Sequence, residues 1–131
     1  MKVLVLEKSI NPDLLIAGLK RKMGIVIEVD KPEEVEIESC VMKNRYDCII
    51  VDYDNINIVH QLLPASINNY VPTIMFFEGK LDDVHFAQGI FETIIKNGST
   101  KSYRQLMWGI ASALRHKRNV DTGKISSRIA L

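Results

Sequence analysis

The chain has 131 residues, 17 of them Lys or Arg and 16 Asp or Glu, for a formal net charge of +1. That length fits one domain and not two. With 47% hydrophobic and 25% charged residues it has material for an ordinary globular core without metal or disulfide staples. A charge so near zero argues for neither a nucleic-acid nor a membrane partner.

The opening segment, MKVLVLEKS, is apolar only over Val3–Leu6 before Glu7 and Lys8 interrupt it. That is too short for a secretory leader or a membrane span, so a cytoplasmic setting is expected. Cys40 and Cys48 belong to no CxxC or Cys/His pair and read as reduced thiols. Val3–Leu6 is the first of five short runs rich in Val and Ile. The others are Ile25–Val29, Cys48–Val51, Thr73–Phe77 and Phe91–Ile95. Runs apolar on successive residues predict strands covered on both faces.

Helical patterns separate these runs. Asn11-Pro12-Asp13 supplies an N-cap, an N1 proline and an acidic first turn. Leu15, Leu19 and Met23 then share a face, and Gly24 closes the helix. Asp30 and Pro32 open a second helix carrying Val35, Val41 and Met42. Ile58, Leu62 and Leu63 mark a third, which Pro64 breaks or kinks. Leu81–Gln88 gives a short fourth, and Thr100–Lys117 a fifth with Tyr103, Leu106, Ile110 and Leu114 on one stripe. Beyond Arg118 the pattern fades, so residues 1–118 read as the domain and 119–131 as a basic linker or tail. The alternation predicts an α/β fold: a (βα)5, doubly wound, five-stranded parallel sheet of flavodoxin-like type.

Ligands of such a sheet bind beyond the C-terminal ends of its strands. The candidate positions are therefore Glu7 and Lys8, Asp52–Asn55, Phe77–Gly79 and Lys96–Gly98. Gly79, Gly89 and Gly98 read as turn glycines and form no phosphate-binding GxGxxG, and no cofactor is expected. His60, His85 and His116 are scattered, and surface or helix-flank positions without a ligand role are expected of them.

At these strand ends the sequence resembles the response-regulator receiver family, over residues 1–118. YDCIIVD resembles the third strand, placing Asp52 at the phospho-acceptor position. VLVLEKS resembles the first, with Glu7 at one of two acidic positions. VPTIMFF resembles the fourth, and GIFETIIKN the fifth, with Lys96 at its lysine. The departures are as specific as the matches. Lys8 stands at the second acidic position and Phe77 at the hydroxyl position. Thr93 replaces the mid-strand aromatic, and Asn97 follows Lys96 where the family has proline.

The resemblance implies a magnesium-dependent acceptor site, and the departures act against it. Glu7, Lys8, Asp52 and Lys96 sum to zero charge, so a cation gains little there. At ~4 Å, repulsion by Lys8 would cost roughly 4 kcal/mol at an effective dielectric near 20. No metal site and no phosphorylation are expected, with Asp52 held in an ion pair with Lys8 or Lys96. Phe77 and Thr93 transpose the ring and hydroxyl of the family's switch and are expected to freeze one conformation. The Lys96–Asn97 bond is expected to be trans.

Two surface features remain. Glu28–Glu38 holds six acidic residues and one lysine and reads as a solvated acidic face. In the last helix Trp108 falls about 150° from the apolar stripe at 100° per residue. Its neighbours are Lys101, Arg104 and Arg115, with Met107 and Ala111 at the flank. The family's last helix commonly serves as a dimer face, so the resemblance implies a homodimer or docking site around Trp108. Arg115–Arg128 holds five basic residues and one acidic residue. It reads as a linker toward a DNA-binding effector domain, with no direct nucleic-acid contact from this domain. The expected function is an atypical receiver in signal transduction and transcription regulation, independent of phosphorylation and not an enzyme. A conventional receiver phosphorylated on Asp52 and a small flavodoxin-like enzyme are the alternatives.

Overall fold

The computed structural model describes residues 1–77, 90–95 and 100–124. Its strands are β1 (Lys2–Val5), β2 (Glu28–Asp30), β3 (Cys48–Val51), β4 (Thr73–Phe77) and β5 (Ile90–Ile95). They form one parallel sheet in the order β2-β1-β3-β4-β5. The described helices are α1 (Pro12–Met23), α2 (Ile37–Lys43), α3 (Ile56–Leu62) and α4 (Thr100–Asp121). The expected α/β, doubly wound architecture is the one observed.

Side chains alternate across the sheet with the two-residue period of a pleat. Val3, Val5, Cys48, Ile50, Ile74 and Phe76 pack with Leu15 and Leu19 of α1 and Leu106, Ile110 and Leu114 of α4. Leu4, Leu6, Ile49, Val51 and Met75 pack on the other face with Ile37, Val41, Ile56 and Val59 of α2 and α3. The α1 caps form as the sequence indicates. Asn11 Oδ1 accepts from the N–H groups of Asp13 and Leu14, at 2.9 and 3.3 Å. Gly24 takes the left-handed conformation, φ 66°, that ends the helix. Gly18 lets α1 and α4 meet closely, since a Cβ there would sit 2.8 Å from Met107 Sδ.

Several expectations are corrected. β2 begins at Glu28, not Ile25, because the Ile25 N–H is spent on Leu19 O in closing α1. Val35 does not join the second helix's apolar face. It lies in a 3-10 turn, Glu34–Glu36, and is 90% exposed, while Ile37 and Val41 form the buried pair. In α3 the inward residues are Ile56 and Val59, one turn-phase away from the expected Ile58. Pro64 sits in a 3-10 turn, Leu63–Ala65, that ends that helix. α4 runs on past Lys117 to Asp121. Met107 is not at the flank of a partner face; it is 3% exposed and part of the core beside Gly18. His116 is half-buried on α4, within the expected range of surface or helix-flank positions. It lies between the rings of Tyr70 and Phe91, centroids 5.9 and 5.4 Å away, with Nε2 buried. His60 is half-buried, and burial lowers its pKa.

The expected fourth helix, Leu81–Gln88, lies outside the described residues, as do His85, Lys96, Asn97 and the glycines Gly79, Gly89 and Gly98. Among the described residues Cys40 and Cys48 form no disulfide, and no helix is long and apolar enough to cross a membrane.

Candidate functional site

The site is built by loops leaving the C-terminal ends of β1, β2 and β3. The Leu6 N–H donates to Ile50 O at 2.8 Å, continuing the β1–β3 pairing one step past β1. Glu7 follows, only 7% exposed. Its Oε2 accepts from the Ser9 N–H at 2.8 Å and from the Ser9 hydroxyl. Lys8 is exposed. Its carbonyl, with that of Ile10, receives the Lys31 ammonium at 2.8 and 2.7 Å, so the turn after β1 is tied to the loop after β2.

Asp52 leaves β3 half-buried. Its Oδ1 accepts from the Asn55 N–H at 2.9 Å and from Asn55 Nδ2 at 2.8 Å. Asn55 Nδ2 also reaches Leu6 O at 3.5 Å, linking the two strand ends. Asp52 thus caps the turn into α3, a short-range partnership that Asp and Asn side chains favour. A cleft of about 590 Å³ opens over these loops, with Asp52, Asp54, Asn55, Lys8, Lys31, Glu33 and Glu34 at its walls. Val5, Leu6, Pro32, Ile37 and Ile58 supply its apolar lining.

Asp52 and Lys8 therefore share one cleft, but they are not ion-paired. The ion pairs among the described residues are Lys2–Asp30, at 3.3 Å, and Lys117–Asp121, at 3.2 Å. Asn55 supplies Asp52 with two donors from three residues away, at no cost of immobilising a long lysine chain. The expected partner Lys96 lies outside the described residues. Phe77 pairs in register with Ile95, and Thr93 with Met75. The side chains of Phe77 and Thr93, on which the transposed switch turns, lie outside the description.

The receiver family that the sequence resembles carries magnesium at these strand ends. Magnesium asks for an octahedral oxygen shell with carboxylates supplying charge. Here Lys8 stands at the cleft wall, Glu7 accepts from Ser9 and Asp52 accepts from Asn55. Among the described residues no three His, Cys, Asp or Glu side chains come together as ligands. The described residues of the cleft do not fit a magnesium centre.

Sequence reasoning placed Asn55 within the candidate span Asp52–Asn55 without giving it a role, and missed Lys31. Asn55 carried a readable signal, an Asp–x–x–Asn turn ahead of an apolar helix. Lys31 had none, since its reach across two loops is a tertiary fact. Also missed was Asn68, at the opposite end of the sheet. It is 5% exposed and its Oδ1 accepts from the Tyr46 N–H at 2.6 Å. Its Nδ2 donates to Val41 O and Asn44 O at 2.7 and 2.6 Å, and its N–H to Ser66 Oγ at 3.1 Å. The Tyr46 hydroxyl donates to Asp30 at 2.6 Å, and burial with that bond pushes its pKa up.

On the far face Trp108 is 62% exposed, between exposed Arg104 and Arg115, with Ala111 half-buried.

No protein-family model matches the chain, and no curated protein matches it in sequence. Solved structures do match. A response regulator from Hahella chejuensis is 24% identical with a TM-score of 0.60, covering 86% of this chain and 93% of that one. A response regulator receiver domain protein from Clostridium thermocellum is 19% identical with a TM-score of 0.55, covering 91% and 98%. A response regulator receiver modulated diguanylate cyclase from Pelobacter carbinolicus is 18% identical with a TM-score of 0.56, covering 92% and 97%. At these identities the likeness is one of fold: the chain has the fold of response-regulator receiver domains.

Proposed function

We propose that the chain is an atypical receiver domain that works in signal transduction by dimerising or docking, not by phosphoryl transfer. The observation that carries this reading is Asp52 itself. At the acceptor position it serves Asn55 as a local cap, in a cleft it shares with Lys8. Phosphoryl transfer to such a carboxylate needs a divalent cation beside it, and a basic residue at the wall of the same cleft works against one. The exposed Trp108 with Arg104 and Arg115 supports a contact role for α4, since aromatic and Arg side chains dominate interface energetics. The natural setting of such a domain is cytoplasmic, ahead of a DNA-binding effector.

Incubation with a small phosphodonor and magnesium, followed by intact-mass measurement, tests the reading. No addition of one phosphate is expected. An adduct mapping to Asp52 would make the protein a conventional receiver. Sedimentation of wild type against Trp108→Ala tests the contact face: self-association of wild type, lost in a folded monomeric variant, is expected, and two identical monomers would remove α4 from the proposal.

A further inference from the structure

The outer surface of α1 and α4 is continuous, because Gly18 brings the two helices together at Met107. Two large apolar side chains stand out on it, Leu14 at 61% and Trp108 at 62% exposure. Around them Arg21, Arg104 and Arg115 are exposed. With Asp13 at the first turn of α1 the face still carries net positive charge. Such a face pairs poorly with itself. A two-fold contact centred on Trp108 would bring arginines against arginines, and like charges across an interface are strongly disfavoured. Its complement is an acidic surface with an apolar side chain standing clear of it.

The chain carries that complement. The 3-10 turn Glu34–Glu36 holds Val35 90% exposed, with Glu33, Glu34 and Glu36 exposed on either side. No packing within the domain accounts for an aliphatic side chain left so far out. The turn precedes α2, which covers the opposite face of the sheet from α1 and α4. One molecule therefore cannot close the contact on itself. The formal charge of +1 conceals two separated surfaces of opposite sign.

We propose that the α1–α4 face of one copy receives residues 33–36 of a second copy, so that the molecules associate head to tail. The inference rests on the reading of the α4 outer face as the working surface and names its occupant. The contact is heterologous, so each bound pair leaves one basic face and one acidic turn free, and growth into short chains or a ring follows. Because opposite charges carry much of the contact, salt weakens it.

The test is sedimentation velocity of the full chain over a concentration series, with two double variants at exposed positions: Arg104→Glu with Arg115→Glu, and Glu34→Lys with Glu36→Lys. Circular dichroism verifies that each remains folded. Wild type is expected to associate with rising concentration, and about tenfold or more weakly at high salt. Each variant alone is expected to be monomeric. Their equimolar mixture is expected to associate, because the first keeps the acidic turn and the second keeps the basic face. Two results would overturn the proposal. One is a monomeric wild type throughout. The other is an acidic-turn variant that dimerises like wild type while Trp108→Ala does not, which leaves the α4 contact standing and removes its assigned occupant.

Discussion

The two ends of the sheet each centre on a short polar side chain, and they are built in opposite ways. At the N-terminal end, Asn68 is buried and uses its amide oxygen, amide nitrogen and backbone N–H to bind Tyr46, Val41, Asn44 and Ser66. At the C-terminal end, Asp52 is half-buried and binds Asn55, three residues away. The first joins the end of α2, the start of β3 and the approach to β4. The second joins little beyond its own turn and the end of β1. An end wired across the fold resists substitution. An end satisfied locally can change its chemistry without endangering the fold, and it is there that the sequence departs from the receiver pattern it resembles.

Asn68→Ala is the strongest way to break that contrast. It leaves the Tyr46 N–H and the carbonyls of Val41 and Asn44 without their buried partner, at a cost of roughly 3 kcal/mol. Urea unfolding measures it as a lowered midpoint at unchanged slope. A loss within about 0.5 kcal/mol would place Asn68 among ordinary surface positions and erase the distinction between the ends. Gly18→Leu provides a purely apolar reference. Its branched side chain meets Met107 Sδ across the α1–α4 contact, and overpacking of this kind costs about 1–3 kcal/mol.

The sequence shows the locally satisfied features better than the wired ones. β1, β3 and β4 were legible because their residues are apolar in succession, and the caps of α1 because Asn11, Pro12 and Gly24 act within a few residues. β2 was misplaced because its register is set by pairing with β1, Lys2 against Glu28, and its own three residues carry no pattern. α2 and α3 are only seven residues each, too short for a helical period to choose between Val35 and Ile37, or between Ile58 and Ile56. Asp52 and Lys8 were legible as strand-end positions, and the resemblance gave them their roles. Asn68 and Lys31 were invisible, because a loop amide or a lysine acquires its role only when distant segments arrive around it. Met107 was misjudged for the same reason: the wheel gave its angle, but Gly18 on another helix decided that this angle is buried.

Tyr46→Phe sharpens the comparison at moderate cost. It removes the 2.6 Å bond to Asp30 and keeps the ring in place, for about 1 kcal/mol. The pH dependence gives an independent check. Burial first, then Asp30, raises the Tyr46 pKa above its ordinary value of 10.0. A raised pKa means that the native state holds the proton more tightly than the unfolded chain. The contribution is complete below pH ~10 and is lost as pH rises beyond it. Wild type should therefore lose stability above that pH faster than Tyr46→Phe does, as followed by thermal unfolding across the alkaline range.

The smallest effect is expected at the position that matters most in the receiver family. Asp52→Asn exchanges a carboxylate oxygen for an amide oxygen. That oxygen can still accept from the Asn55 N–H and side-chain amide. What is lost is one negative charge in an open cleft that Lys8, Lys31 and other acidic side chains also line, where solvent screens it. Stability should shift by no more than about 0.5 kcal/mol, and self-association should be unchanged. Asp52→Ala removes the acceptor altogether and should cost about 1 kcal/mol, the usual net worth of a lost hydrogen bond. The pair separates two roles for one side chain. If Asn matches wild type and Ala is weaker, Asp52 is a cap whose charge has become dispensable. If Asn alters association or stability as much as Ala does, the charge itself is in use, and the C-terminal end of the sheet retains an electrostatic function of the kind its fold relatives suggest.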